Sequence, residues 1–129
     1  MASTKRRQPS GNVYLPGCPS RSILDTVTSR WGALILILLL KEGPLRFSEL
    51  ARAIGGVSEK MLAQSLQALE KDGFLLRTVY PTIPPKVDYR LTALGQDLAP
   101  CVKSLASWVE AHVGDVMEHR KRHQTKASS

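Results

Sequence analysis

Apolar residues recur along this chain with a spacing that changes from helical to alternating and back again. Residues 1–17, rich in Ser, Pro, Gly and basic groups, show no such period and read as a mobile basic arm. A helix is expected from Ser20 or Arg21, with Ile23, Leu24 and Val27 on one side. Trp31 opens a second helix, "WGALILILLL", that is apolar nearly all round, as a central core helix would be. Gly43 and Pro44 stop it. "SELARAIGG" then reads as a short helix capped by Ser48, with Leu50 and Ile54 inward. After Gly55 and Gly56, Ser58 caps a fourth helix in which Leu62, Leu66 and Leu69 share one sector.

Beyond Asp72 and Gly73 the period drops to two. "FLLRTVY" and "VDYRL" read as strands, joined by the proline-stiffened "PTIPPK". Helix, glycine turn, helix and hairpin in that order make a winged helix-turn-helix. Thr92 is then expected to cap a long last helix with Leu94, Leu98, Val102, Leu105, Val109 and Val116 on a stripe. Pro100 should kink or divide it. The predicted fold is mainly α with a small β-hairpin. One domain covers 18–117, including N- and C-terminal dimerisation helices, and a basic tail covers 118–129.

The outer side of the fourth helix carries the first candidate chemistry. At about 100° per residue, Lys60, Gln64, Gln67 and Lys71 form one stripe opposite the leucines. Lys can meet a phosphate or guanine, and Gln can pair with adenine through two hydrogen bonds, so the stripe suits a DNA major groove. Ser58 and the open amides behind it suit a phosphate. Met61 lies at the margin, where core packing and a thymine-methyl contact are both open. The bland alternative is a solvated face, because Lys and Gln are good helix formers. What tips the balance is the hairpin that follows.

That hairpin offers Lys86 near its tip with Arg77 and Arg90 beside it, placed to reach the DNA backbone or minor groove. Arg90 could instead pair with a carboxylate, and Asp88 could hold Arg77 in place. Arg46, before the third helix, is a further phosphate candidate or a snorkelling side chain, and Arg52 is read as a surface charge.

Composition narrows the rest. The net charge of +7 sits mostly at the ends, on Lys5, Arg6 and Arg7 and on Arg120, Lys121, Arg122 and Lys126, while the middle is nearly balanced. Such ends favour a polyanion or simply solubility. The longest apolar run, Ala33 to Leu40, is too short for a bilayer, and no secretory signal is present, so a cytoplasmic protein with no membrane partner is expected. Cys18 and Cys101 make no CxxC pair, and no Cys/His cluster suggests zinc. No GxSxG, HExxH or phosphate-cradling loop occurs, and the three histidines all lie near the C-terminus, so no enzyme, cofactor or metal is expected. His119 and His123 are read as solvated tail.

The first and last helices carry more apolar surface than three helices and a hairpin can cover. A two-fold partner would cover it, with Leu105, Trp108 and Val109 facing Ile23 and Leu24. The alternative is that the last helix folds back on its own core.

Three stretches, "CPSRSILDTVTSRWGALILILLL", "RFSELARAIGGVSEKMLAQSLQALEKDGFLLR" and "PPKVDYRLTALG", resemble the successive signatures of HxlR-type transcriptional regulators, a winged-helix group of MarR-like homodimers. The resemblance runs in order over about residues 18–116. It implies a DNA-binding regulator dimerised through its terminal helices, without catalysis. It also implies a role for Cys18, since some members use a cysteine before the first helix as a sensor of electrophiles or oxidants, and "GCPSR" stands there. A helix N-terminus with Arg21 one turn on would lower the thiol pKa; the other reading of Cys18 is a small packing residue. Cys101 reads as inert core or interface. The expected protein is therefore a homodimeric, sequence-specific repressor on a pseudo-palindromic operator, open to an oxidant or small-molecule effector. Its rival is a winged helix that contacts only proteins.

Overall fold

The computed structural model describes residues 11–128, with side chains to residue 125. Lys5, Arg6, Arg7 and the rest of 1–10 lie outside the described residues. Residues 11–17, expected as part of a mobile arm, form two successive turns leading into Cys18, with Leu15 N donating to Asn12 O and Cys18 N to Leu15 O.

Helix α1 (Pro19–Val27) starts with proline in its first turn, where the missing N–H costs nothing. α2 (Arg30–Glu42) begins one residue before Trp31, because Ser29 accepts from Gly32 N at 3.2 Å. The two helices bend by 69° at a break that only glycine permits: a Cβ on Gly32 would run into the Thr26 carbonyl. Ile35, Leu36 and Leu39 of α2 are buried between the other helices and the sheet. Gly43, at φ +79°, ends the helix.

The chain then forms a strand that the alternation did not reveal. β1 (Leu45–Arg46) is only two residues long, too short to show a period, and pairs antiparallel with the wing. α3 (Phe47–Ala53) follows at once. Ser48 lies inside it rather than capping it; Glu49 Oε1 accepts from Arg46 N at 2.8 Å instead. Gly56, at φ +84°, turns the chain into α4 (Glu59–Lys71), which Ser58 caps through Met61 N. Leu62, Leu66 and Leu69 are essentially inaccessible to water.

β2 (Leu75–Tyr80) and β3 (Lys86–Leu91) make the expected hairpin, and with β1 they form a three-stranded sheet in the order β1-β3-β2. α5 (Ala93–Ser128) is a single helix of 36 residues, roughly 54 Å long at its standard rise. Thr92 supports its start as expected, accepting from Gly95 N at 3.1 Å. Pro100 lies inside α5 without dividing it. Its exposed position leaves the ring room, and only one turn bond to the Gln96 carbonyl is lost. The basic segment after residue 117, expected as a flexible tail, continues this helix. Only the first turns of α5 pack on the core, through Leu98, Ala99 and Val102.

Candidate nucleic-acid interface

The three leucines pull one side of α4 into the core, and this alone turns Lys60, Gln64, Gln67 and Lys71 outward, where all four are exposed. Met61 is 42% exposed, so of its two readings core packing is excluded. Ser58 Oγ uses a lone pair on Met61 N at 3.1 Å, which leaves its hydroxyl proton for an incoming acceptor. Glu59 sits in the first turn and Lys71 in the last, both favourable to the helix dipole. Gln64 also borders a shallow groove of about 250 Å³ that α4 shares with Asp25 and Ser29 at the end of α1.

The wing separates residues that the sequence grouped. Opposed residues in an antiparallel pair share a face, and Arg77 opposes Tyr89 while Leu76 opposes Arg90. Arg77 therefore stands on the opposite face from Lys86, Asp88 and Arg90. For the same reason Asp88 does not hold Arg77: it pairs with Arg90, two residues along its own strand, at 3.4 Å. Arg90 also donates to the Tyr80 hydroxyl at 2.8 Å, so its guanidinium acts as a strut within the wing. Arg46 joins the Lys86 face through β1, opposite Asp88, and both cations are exposed. Neither makes an ion pair among the described residues. Arg52 is an exposed charge, as expected. Tyr80 and Thr82, passed over in the sequence, meet Arg46 and Lys86 at one cleft. The signal was the period of two, which puts Tyr80 opposite Lys86.

The surplus apolar surface persists in the folded chain. Leu105 and Trp108 are 60% and 55% exposed, and Val109 is half exposed. α5 thus does not fold back over its own core beyond Val102. Ile23 and Leu24, partly exposed on α1, line an apolar groove of about 270 Å³ whose wall includes Leu98 of α5; Leu105, Trp108 and Val109 lie further along α5 and do not line it. Cys101 is exposed and belongs with this stripe rather than with the core.

Cys18 occupies the N-cap position of α1 without a side-chain capping bond, and its sulfur accepts from Asn12 N at 3.4 Å and lies 3.2 Å from the Ser20 hydroxyl. The Ser20 hydroxyl, then the backbone amides of Asn12 and Ser20, hold the thiol pKa below the ordinary cysteine value, against a small opposing effect of burial. Arg21 is not the cause; its guanidinium turns to the Tyr14 carbonyl at 3.3 Å. Ser20→Ala is therefore expected to raise the Cys18 pKa and slow alkylation at neutral pH, as read from the pH profile of iodoacetamide modification. An unchanged profile would remove the hydroxyl from the account.

Among the described residues no group of three or more His, Cys, Asp or Glu is placed to hold a metal, and no single helix is long and apolar enough to cross a membrane. Comparison with known proteins agrees with the winged helix. The family model for HxlR-like helix-turn-helix proteins matches residues 26–117. The HTH-type transcriptional regulator YtfH of Escherichia coli (strain K12) is 54% identical over 118 residues, covering 92% of this chain and 93% of that one. The solved structure of the transcriptional regulator YtfH from Salmonella typhimurium superposes with a TM-score of 0.81 at 54% identity, covering 87% of this chain and 99% of that one. The redox regulator HypR in its oxidized form gives a TM-score of 0.66 at 35% identity, covering 73% of this chain and 96% of that one. The chain belongs to the HxlR-like family of helix-turn-helix transcriptional regulators, which are not enzymes.

Proposed function

We propose that this regulator works as a homodimeric repressor that sets α4 of each subunit into successive major grooves, roughly 34 Å apart, on a pseudo-palindromic operator. The observation that carries this reading is the exposed stripe of Lys60, Gln64, Gln67 and Lys71 directly opposite three fully buried leucines. Gln64 and Gln67 read base edges, Lys60 and Lys71 meet guanine or phosphate, and Met61 lies beside a thymine methyl. Ser58 and the start of α4 receive a phosphate, and Arg46, Arg77 and Lys86 bind the flanking backbone or minor groove. Leu105, Trp108 and Val109 close the dimer against Ile23 and Leu24 of the partner. Cys18 reports on oxidants or electrophiles in the cytoplasm, a reading supported by its lowered pKa and by the likeness to a redox regulator.

Selection from random duplex DNA, followed by titration of the winner at several salt concentrations, tests this. A two-fold-symmetric site is expected, with affinity falling steeply as salt rises, by a slope of about 0.9 per neutralised phosphate. Gln64→Ala is expected to cost about 1–3 kcal/mol and relax the choice at one base pair, whereas Lys86→Ala weakens all sequences evenly and lowers the salt slope by about one. No enrichment, or equal small effects of both changes, would point to a module that contacts proteins only. Diamide is expected to weaken operator binding by the parent and not by Cys18→Ser; an equal response of the two sinks the sensor.

A further inference from the structure

The corner between α1 and α2 meets the helix-turn-helix at two places. At the first, Asp25, Thr26 and Ser29 border the shallow groove of about 250 Å³ whose other side is Gln64, Ser65 and Ala68 of α4. Counted round the helix, Ala68 and Ser65 lie about 40° and 100° from Gln64, so the groove runs from the exposed donor stripe onto one flank of α4. At the second, the Trp31 ring lies against the turn that leads into α4: a Cβ on Gly56 would be 3.9 Å from Trp31 Cη2. Ser29 and Trp31 flank Arg30 in the chain, so the two contacts place Arg30 beside α4, between its start and its middle.

Arg30 is exposed and makes no ion pair among the described residues. Asp25, the one carboxylate bordering the groove, is not paired with it. The guanidinium carbon instead stands 5.4 Å from the centroid of the Trp31 ring. Stacking of this kind occupies the flat face of a guanidinium and leaves the N–H groups around its edge open. It also limits the rotamer freedom that a long exposed side chain would otherwise lose on meeting a ligand. A planar fork held in this way suits a phosphate, which it can grip through two hydrogen bonds.

We propose that Arg30 holds a phosphate of the operator backbone on the α1–α2 flank of α4, with the Trp31 ring as its platform. The inference rests on the reading that α4 enters a major groove. A helix lodged there has a sugar-phosphate backbone on each side. Outside α4, the cations assigned to DNA above, Arg46, Arg77 and Lys86, all come from β1 and the wing. Arg30 supplies one from a different part of the fold. The same fork would accept a carboxylate of an acidic protein; continuity with the donor stripe, through the groove shared with Gln64, favours DNA.

A phosphate contact carries no sequence information, but it sets where the reading helix sits. Because Trp31 packs on the turn before α4, the phosphate and the helix are held by one unit. Gln64 and Gln67 then meet base edges in a fixed register.

Operator titrations at several salt concentrations, with the full chain, test this. Arg30→Gln is expected to stay folded by far-UV circular dichroism, to weaken every duplex alike by about tenfold, and to lower the salt slope by about 0.9 per half-site. Arg30→Lys keeps the charge and is expected to restore the slope, with part of the affinity lost because an ammonium has no planar fork. Lys41→Gln, which removes an exposed cation from the last turn of α2, is expected to leave the slope unchanged. A scan of operators in which single phosphates are replaced by neutral methylphosphonates then locates the contact. One position in each half-site is expected to cost the parent about tenfold and Arg30→Gln nothing. The proposal is overturned, with the DNA reading left in place, by an unchanged slope for Arg30→Gln, a slope for Arg30→Lys as low as for Arg30→Gln, an equal fall for Lys41→Gln, or a scan in which no position separates parent from variant. A parent chain without salt-dependent operator binding removes that reading, and Arg30 with it.

Discussion

A chain carrying Leu105→Asp and Trp108→Asp together is expected to stay folded, sediment as a monomer, and bind the operator about a thousandfold more weakly than the parent. Both side chains lie more than half exposed on the part of α5 that leaves the core behind, so the fold of one chain does not depend on them. In the proposed dimer they would be covered. Placing a carboxylate on each side of the two-fold axis would bury like charges without partners, which an interface of modest size cannot absorb. The loss in DNA affinity follows from geometry. Two linked recognition helices bind their half-sites as one event, and separating them removes an avidity of about 10²–10⁴. Sedimentation equilibrium, far-UV circular dichroism and a fluorescence titration of operator DNA read the three parts separately. A variant that remains dimeric with intact operator binding would show that α5 is not the interface.

The second large effect is expected at Gly95, where the wing runs into α5. A Cβ built there falls onto the Phe74 carbonyl oxygen and lies 3.2 Å from Leu91 Cδ2. That carbonyl already accepts from Thr92 N at 3.0 Å, so it is held in place and cannot retreat. Gly95→Ala is expected to destabilise the protein by about 1–3 kcal/mol through overpacking, even though alanine is the better helix former by up to about 1 kcal/mol. The control lies on the same helix. Gly114 has open space around its Cβ position, and Gly114→Ala is expected to raise stability by up to about 1 kcal/mol. Urea unfolding of the two variants should move in opposite directions. Equal shifts would mean that α5 can slide at Gly95, and that its contact with Phe74 and Leu91 is looser than the geometry requires.

How far each part was legible depended on the length of the signal it left. α4 was legible because thirteen residues give several turns, and Leu62, Leu66 and Leu69 recur once per turn. The opposite stripe of donors followed by elimination. The hairpin was legible from two runs of alternating residues. β1 was not, because two residues contain no period, and its pairing with β3 depends on chain brought back from over forty positions away. The cap of α3 was misplaced for a local reason: Ser48 is a good cap by type, but Glu49 reaching back to Arg46 N sets the start two residues earlier. Pro100 read as a break, yet its position on an exposed side of a long helix leaves α5 undivided.

The same contrast holds for the candidate site. From the sequence alone came the winged-helix order, the buried and exposed sides of α4, the apolar surplus of the first and last helices, and the separation of charge between ends and middle. These depend on periodicity and composition, which are local properties of the chain. Only the tertiary structure decided which side chains meet. It moved Arg77 to the opposite face of the wing from Arg90 and gave Asp88 to Arg90. It also drew Arg46, Tyr80 and Lys86 around one cleft, and lowered the Cys18 pKa through Ser20 and Asn12 rather than Arg21. Pairings of this kind are set by strand register and by turns that fold one segment onto another. A shift of one residue would exchange the faces, so no property of a single segment determines them.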